Sequence, residues 1–296
     1  MKIGLIDVDG HHFPNLALMK LSAWHKAAGD SVEWCNHFER YDRVYKSKVF
    51  TFSPDDKTAV NADYIRMAGT GYKDYDTVLQ YAIEHITPDY GLYGVDYAVG
   101  FTTRGCVNHC PWCVVPKKEG AIRPASPLRE FLADRKTAVL LDNNALAHPF
   151  GLEQMEESIR LGVKVDYNQG LEAKLVCDNP AIADLLARMK WQRYVRFAAD
   201  TTERLPYVVK AVEMLSERGL KPYRVFVYVL IRDVQDALHR INALKELGVI
   251  PFAQPYRDFD NMTEPTQEQK DLARWCNMRA TFKSCTFDEY NRHIKR

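Results

Sequence analysis

The first third of the chain alternates short apolar runs with one stretch of helical periodicity. Residues 2–9 are typical of a buried strand, and residues 15–28 carry apolar side chains at helical spacing. Pro14 and Gly29 flank that stretch, as residues that favour the start and the end of a helix do. Two further short strands are expected at residues 31–34 and 41–52. A strand, a helix and a strand of this length predict a βαβ unit with a parallel sheet.

The stretch from residue 53 to residue 94 is rich in Tyr, Asp, Gly and Pro, and we interpret it as the edge of a first domain plus a connection. Beyond it, strand and helix patterns alternate regularly. Strands are predicted at residues 96–101, 138–142, 164–167, 194–197, 224–230 and 250–254. Helices are predicted at residues 128–133, 152–161, 180–189, 205–217 and 234–247. Gly162, Gly219 and Gly248 lie between a helix and a strand, where helix C-caps occur. Six such units in series predict a parallel barrel or partial barrel, whose functional groups follow the carboxyl ends of the strands.

Composition places the chain among ordinary globular proteins. Of its 296 residues, 46% are hydrophobic and 27% are charged, and the formal net charge is +1. A near-neutral charge does not indicate nucleic acid as a partner. One cluster of basic residues has two possible interpretations, a local basic groove or a solvated helix face. The cluster consists of Arg188, Lys190, Arg193 and Arg196.

Targeting signals are not evident. The apolar run at residues 3–8 is too short for a signal peptide, and no apolar stretch reaches the roughly 18 residues of a membrane span. We therefore expect a cytoplasmic protein that does not enter a membrane. In that compartment the seven cysteines are expected to be thiols or metal ligands and not disulfides.

The sharpest feature is a group of cysteines at Cys106, Cys110 and Cys113. Three thiolates spaced four and three apart can bind one small cluster from a single loop, and thiolate is the usual ligand of iron–sulfur clusters. Three ligands on a [4Fe–4S] cube leave one iron open to a substrate group. Two alternatives remain: a zinc site with His109 as the fourth ligand, and thiols without a metal.

This C-x3-C-x2-C pattern, with Trp112 before the last cysteine, resembles the signature of the radical SAM superfamily. The resemblance covers roughly residues 95–255 and implies a partial (β/α)6 TIM-like barrel, here at 93–258. It also implies that S-adenosylmethionine binds the open iron and is cleaved reductively to a 5′-deoxyadenosyl radical. A reductant such as flavodoxin or ferredoxin is implied as a partner. The substrate is unknown: a small molecule, a peptide or a nucleotide.

The same resemblance suggests cofactor-binding residues at the strand ends. Asp142, Asn143 and Asn144 stand where the family has a Gly-Gly-Glu-like segment that holds the methionine amino group, and a polar turn is the alternative. We expect Gln169 to point into the barrel mouth and Arg196 to pair with the methionine carboxylate. Asp200 is expected to bind the ribose hydroxyls. Backbone groups near Tyr228 and Gln254 are expected at the edge of the adenine, and Trp112 is expected to pack on the face of the adenine ring. Ordinary ion pairs for Arg196 and Asp200, and core packing for Trp112, are the alternatives.

Residues 1–92 resemble the small Rossmann-like α/β domain that precedes the barrel in cobalamin-binding radical SAM proteins. That family's Asp-x-His-x-x-Gly motif is replaced by a run from Asp7 to His12 with no glycine at the required spacing, so we do not expect cobalamin. A degenerate domain that packs or binds substrate fits better. His11 or His12 follows a strand end and either reaches a ligand or lies in a solvated loop.

Segments around residues 14–20, 115–120 and 274–285 are similar to a largely uncharacterised bacterial and phage-borne group of radical SAM proteins, for which no substrate is implied. Residues 259–296 are expected to form a helical or extended extension. Cys276 and Cys285 lie nine apart there, and structural thiols are favoured over an auxiliary cluster. Two other functions stay open: a cobalamin-dependent radical SAM methylase, and a non-catalytic metal-binding protein that binds a partner.

Overall fold

The computed structural model describes residues 1–10, 13–258, 261 and 263–294. It is a mixed α/β structure with parallel sheets, as predicted. In the N-terminal region, residues 1–92, the elements are β1 (Lys2–Asp7), α1 (Leu16–Ala27), β2 (Ser31–Trp34), β3 (Arg40–Ser47), β4 (Asn61–Ala68) and α2 (Tyr81–Glu84). The four strands form one parallel sheet in the order β2-β1-β3-β4.

Strand β4 was not predicted, because the stretch that contains it was interpreted as an edge and a connection. Its side chains do not alternate between buried and exposed: Tyr64, Ile65 and Met67 are each nearly half exposed. An edge strand that is solvated on both faces lacks the period-2 signal from which strands are predicted. Strand β3 ends at Ser47, five residues before its predicted end.

The C-terminal region, residues 93–294, contains the remaining elements. Its strands are β5 (Ala98–Gly100), β6 (Thr103–Arg104), β7 (Arg123–Pro124), β8 (Thr137–Leu140), β9 (Lys164–Tyr167), β10 (Lys190–Trp191), β11 (Val195–Ala198), β12 (Val225–Ile231) and β13 (Ile250–Pro255). Its helices are α3 (Val115–Lys118), α4 (Leu128–Leu132), α5 (Pro149–Leu161), α6 (Ala173–Asp178), α7 (Pro180–Arg188), α8 (Leu205–Glu217), α9 (Val234–Glu246), α10 (Gln267–Asn277), α11 (Arg279–Ser284) and α12 (Phe287–Ile294). The predicted alternation of strand and helix is present, and Gly162, Gly219 and Gly248 have the positive φ expected of C-caps.

The strands of the C-terminal region form two parallel sheets, in the orders β10-β9-β8-β5 and β11-β12-β13. One parallel bridge, between Leu171 and Phe197, joins them. The two-stranded antiparallel pair β6–β7 closes the base of the segment 105–122, here named the cysteine loop. The partial barrel stays a prediction, whereas the carboxyl ends of the strands and their following loops are defined.

Strand β12 shows how the C-terminal region builds its core. Val225, Val227, Val229 and Ile231 are fully buried and belong to the main hydrophobic cluster with residues of α9. The alternate side chains of the strand are only partly buried. One face therefore packs against helices, and the other lines a concave surface that solvent reaches.

The edges of the C-terminal sheets are closed by side chains. At β5 the Tyr90 hydroxyl accepts a hydrogen bond from the Val99 amide at 3.2 Å and donates one to the carbonyl of Phe131. At β13 the Asn277 side chain bonds both the N–H and the C=O of Ala253, each at 2.9 Å. Such contacts occupy backbone groups that otherwise attract another strand. Within the described residues, no helix is both long and apolar enough to cross a membrane.

Candidate functional site

The cysteine loop begins directly after β6, beyond the carboxyl end of β5. Gly105 enters the loop with φ +81°, and a Cβ atom there would lie 2.3 Å from the carbonyl oxygen of Ala121. The incoming and outgoing strands of the loop therefore approach too closely for any other residue. The Cys106 amide then donates to the Gly120 carbonyl at 3.2 Å, which extends the closure of the base.

Asp142, at the end of β8, lies beneath this loop and is 1% exposed. Its carboxylate accepts from the backbone N–H and the hydroxyl of both Thr102 and Thr103, at 2.5–3.0 Å. Burial raises the pKa of Asp142, and these four donors oppose that effect. We expected Asp142 or one of the two amides, Asn143 and Asn144, to accept from an ammonium group of a cofactor. In the structure the carboxylate of Asp142 fixes the segment that leads into the cysteine loop.

The three thiols lie in one loop but differ in exposure. Cys106 and Cys110 are partly buried, and Cys113 is exposed. Burial raises the pKa of Cys110, and the charges of Cys113 and Cys106 raise it further. The pKa of Cys113 is also raised, by desolvation of its sulfur and by the charge of Cys106, although the residue as a whole is exposed. A bound cation would oppose these effects and stabilise the thiolate forms.

Within the described residues, no group of three or more His, Cys, Asp or Glu side chains is gathered closely enough to hold a metal ion. The donor chemistry of the cysteine loop nevertheless fits a thiolate-bound cluster. The Cys106 sulfur already accepts hydrogen bonds from the backbone N–H of Asn108, at 3.3 Å, and from Nδ2 of Asn144, at 3.6 Å. Such N–H donors are what the sulfur ligands of iron–sulfur clusters receive.

Glu172 connects four parts of this site. It stands between the bridge at Leu171 and the start of α6, and its side chain is 12% exposed. Oε2 accepts from Nδ2 of Asn108, at 2.6 Å, and from Nδ2 of Asn144, at 2.8 Å. Oε1 accepts from Nη1 of Arg204. The carboxylate thus fixes the cysteine loop, the end of β8 and the segment after β11 relative to one another.

Glu119 has a similar role on the other side of the cysteine loop, where its side chain is 9% exposed. Its Oε2 accepts from the Gly105 amide at 3.0 Å and from Nδ2 of Asn143 at 2.8 Å. Its Oε1 accepts from Nη1 of Arg104 at 3.1 Å. Two glutamates therefore hold the two predicted asparagines, Asn143 and Asn144, against the loop.

Asn144 retains one free acceptor. It is 2% exposed, and its Oδ1 atom is buried without a hydrogen-bond partner among the described residues. The amide is oriented by charge, because turning it over would place Oδ1 against the carboxylate of Glu172. A buried carbonyl oxygen without a donor is costly unless a ligand supplies one. Asn144 is thus the acceptor that the structure leaves available to an ammonium group.

Arg196, in β11, forms an ion pair with Asp166 of β9, in the adjacent sheet. Its Nε and Nη2 donate to the two carboxylate oxygens of Asp166, at 2.6 and 2.7 Å, and Nη1 donates to the Tyr228 hydroxyl at 3.3 Å. Tyr228 in turn donates to the carbonyl of Asn168 at 2.6 Å. The ion pair is largely buried and occupies both oxygens of Asp166, so it differs from the surface ion pair that was the alternative for Arg196.

Gln169 and Gln254 are both exposed at strand ends. The Gln169 amide donates only a 3.3 Å hydrogen bond to Asn168, its neighbour in sequence. The structure brings neither side chain into the group around the cysteines that Glu172 and Glu119 hold.

Asp200 follows β11 and lines a cavity of about 530 Å³. Burial raises its pKa, and Arg240 and Arg204 oppose that effect. The charge of Asp200 also raises the pKa of Cys113, so this carboxylate and the cysteine loop share one environment. Across the cavity, Arg232 stacks on the ring of Trp112 at 4.8 Å. The cavity therefore lies between the ends of β11, β12 and β13, and its lining residue Arg232 contacts Trp112 of the cysteine loop.

Sequence reasoning did not single out Glu172, Arg204 or Glu119 as site residues. A signal was present for Glu172 and Arg204, because both are charged and follow the carboxyl ends of predicted parallel strands. Glu119 offered none, since its role depends on how the loop folds back. In the C-terminal extension, Cys276 is buried and its pKa rises to about 12, while the Trp275 indole donates to the Cys285 carbonyl at 3.2 Å. These two cysteines belong to the packing of α10–α12, as favoured.

The strand-end acids of the N-terminal region bind neighbouring groups, although Oδ1 of Asp7 is buried without a hydrogen-bond partner among the described residues. Asp9 accepts from the amides of Val49 and Phe50, at 2.8 and 2.7 Å, and Asp7 accepts from the Tyr93 hydroxyl at 2.6 Å. The predicted candidates His11 and His12 lie outside the described residues. No protein-family model matches the chain, and no curated protein is significantly similar to it.

Proposed function

We propose that this protein is a radical SAM enzyme that acts on a substrate of unknown identity. The observation that carries the proposal is the placement of Cys106, Cys110 and Cys113 in one loop that follows β5, the first parallel strand of the C-terminal region, and is held by Glu119 and Glu172. When bound, a [4Fe–4S] cluster on these thiolates would transfer one electron to the sulfonium of S-adenosylmethionine, whose cleavage gives methionine and a 5′-deoxyadenosyl radical.

The finer description of the fold belongs to the same proposal. In it, β5, β8, β9, β11, β12 and β13 form a partial TIM-like barrel, with the Leu171–Phe197 bridge as its middle seam. The N-terminal sheet is a Rossmann-like domain that does not bind cobalamin. Support for the last point is that both carboxylate oxygens of Asp9, at the strand end where a ligand would bind, already accept hydrogen bonds from the amides of Val49 and Phe50.

Cofactor contacts are assigned from the free groups of the site. The unpartnered Oδ1 of Asn144 accepts from the methionine ammonium. Arg204 binds the methionine carboxylate, because its guanidinium is about one-third exposed and uses only Nη1, on Glu172, among the described residues. Arg196 instead uses Nε, Nη1 and Nη2 on Asp166 and Tyr228. Asp200 accepts from the ribose hydroxyls, and Trp112 packs on the purine. The reductant is a flavodoxin or ferredoxin type of protein.

Anaerobic reconstitution with iron and sulfide tests the cluster. The wild-type protein is expected to become brown and to bind about four iron atoms per chain. Cys106→Ala should lose most of that iron, whereas Cys35→Ala, in a cysteine of similar partial burial in the N-terminal region, should retain it. Addition of dithionite and S-adenosylmethionine should then yield 5′-deoxyadenosine with wild type and with Cys35→Ala only.

A colourless protein that takes up zinc in preference to iron, with loss on Cys106→Ala, would show a structural metal site and overturn the proposal. A full cluster that yields no 5′-deoxyadenosine would remove the enzymatic part and leave a metal-binding protein.

A further inference from the structure

The sulfur of Cys106 receives two N–H donors, and a single carboxylate orients both. The backbone N–H of Asn108 lies 3.3 Å from the sulfur, and Nδ2 of Asn144 lies 3.6 Å from it. Glu172 Oε2 accepts from the side-chain amides of the same two residues, at 2.6 and 2.8 Å. One hydrogen of the Asn144 amide is thus fixed on Glu172, which leaves the other directed at the sulfur.

The arrangement is buried and electrostatically ordered. Asn144 is 2% exposed and the side chain of Glu172 is 12% exposed, so water does not replace these contacts freely. Arg204 balances the charge of the carboxylate from its other oxygen. The carboxylate fixes the plane of the Asn144 amide by holding one of its hydrogens, so the second hydrogen keeps its direction toward the sulfur.

We propose that Glu172 is a positioning residue that raises the reduction potential of the cluster bound by Cys106, acting through Asn144 and Asn108. This inference rests on the proposed function, since it requires the cluster. Hydrogen bonds to ligand sulfurs stabilise the reduced form, which carries one more negative charge, and so move the potential upward. Loss of the Asn144 donor, or a shift of the carboxylate that aims it, lowers the potential without removing an iron ligand.

The measurement is a potentiometric titration of the reconstituted protein, followed by electron paramagnetic resonance, with iron counted in each sample. The variants are Glu172→Asp and Asn144→Ala. Asp keeps the negative charge of Glu172 but withdraws the carboxylate by one methylene from the side-chain amides of Asn108 and Asn144. Glu157→Asp is the matched control: a carboxylate of equal side-chain exposure on α5 that pairs with Arg129 and Arg160.

We expect the midpoint potential to fall for Glu172→Asp and Asn144→Ala, with the iron content close to wild type, and to stay unchanged for Glu157→Asp. The double variant should shift no further than the larger single shift, because both changes act on the same donor.

Equal potentials in all variants would overturn the inference while leaving the proposed function intact, as would an equal fall in Glu157→Asp. If Glu172→Asp loses its iron, Asn144→Ala decides alone, because Asn144 is not an iron ligand. A wild-type protein that takes up no iron would overturn both the inference and the function, and the iron count identifies that outcome before any potential is read.

Discussion

The N-terminal and C-terminal regions both place acidic side chains where parallel strands end, but they use them differently. In the N-terminal region the carboxylate of Asp9 bonds the amides of the adjacent loop, and Asp7 bonds Tyr93. In the C-terminal region Glu172 bonds side chains from three other segments, and Asn144 beside it retains a free buried acceptor. Each arrangement therefore keeps one buried oxygen without a hydrogen-bond partner among the described residues, Oδ1 of Asp7 and Oδ1 of Asn144. The amide of Asn144 also contacts the Cys106 sulfur, whereas the other oxygen of Asp7 is bonded to Tyr93.

Parallel strands bring their carboxyl ends to one edge in both regions, so topology alone does not distinguish a site from a structural cap. The distinction comes from the group beside the unpaired oxygen, a cysteine sulfur at Asn144 and a tyrosine hydroxyl at Asp7. This comparison can be tested by changing matched residues in the two regions.

The largest effect is expected for Asp142→Ala, which removes the acceptor of four hydrogen bonds beneath the cysteine loop. Two buried amides and two hydroxyls lose their partner, and we expect a loss of about 3–5 kcal/mol in the free energy of unfolding. Urea unfolding followed by circular dichroism gives this value. Iron uptake measured below the unfolding transition should also fall, because Thr102 and Thr103 lead into the loop. Unchanged iron uptake would show that the loop does not depend on Asp142.

A smaller effect is expected for the matched change Asp9→Ala. Asp9 is also buried, at 3% exposure, but holds two amides and not four donors. We expect a loss of about 2–3 kcal/mol and an iron content equal to that of wild type. If Asp9→Ala also removes the cluster, the two regions are not functionally separate in the way proposed here.

Ion pairs of Glu84 connect the N-terminal region to the start of the cysteine loop, and a substitution at Glu84 tests this connection. Its Oε1 lies 3.1 Å from Nζ of Lys20, in α1, and 3.2 Å from Nη2 of Arg104, just before the cysteine loop. Burial alone would raise the pKa of Glu84, but the two cations outweigh burial and lower it below its ordinary value of 4.5. The stabilisation is therefore complete above about pH 4.5 and is lost as the pH falls through the lowered pKa.

Glu84→Gln should reduce the free energy of unfolding by about 1–2 kcal/mol at pH 7, between an exposed and a fully buried pair. It should also flatten the acid side of the stability profile below pH 4.5. Urea unfolding between pH 3 and pH 7 measures both effects. The interpretation fails if the variant and wild type lose stability in parallel as the pH falls.

Much of this picture was available from the sequence. The alternation of strands and helices after residue 95 rests on strong periodicity, and the spacing of the cysteines predicts a site in their loop. The ion pair of Arg196 was not predictable as its dominant contact, because Asp166 lies thirty residues away and meets it only across neighbouring strands. The contacts of Asp142 could not be predicted for the same reason: its partners Thr102 and Thr103 lie about forty residues earlier in the chain, so only the folded chain shows the four hydrogen bonds.

For Glu172, the sequence suggests that the residue has a role but does not indicate its contacts. Its position after a strand end suggests function, but nothing in the sequence indicates that Asn108, Asn144 and Arg204 converge on it. Strand β4 was missed for a different reason. Most of its side chains are exposed on both faces of the sheet, so its sequence shows almost no alternation of apolar and polar residues.

The smallest change in stability is expected for a substitution in β4. The two regions differ there, because side chains cover edge strands of the C-terminal sheets but, among the described residues, do not cover β4. The edges of the C-terminal sheets are closed by Tyr90 and Asn277, whereas β4 is an edge with Ile65 44% exposed. Ile65→Lys should change the free energy of unfolding by less than about 0.5 kcal/mol, because little apolar area leaves a buried environment. It should reduce concentration-dependent light scattering, because an edge lysine disfavours pairing with another strand. A large loss of stability would instead mean that Ile65 is packed in solution, and the contrast between an open and a closed edge would disappear.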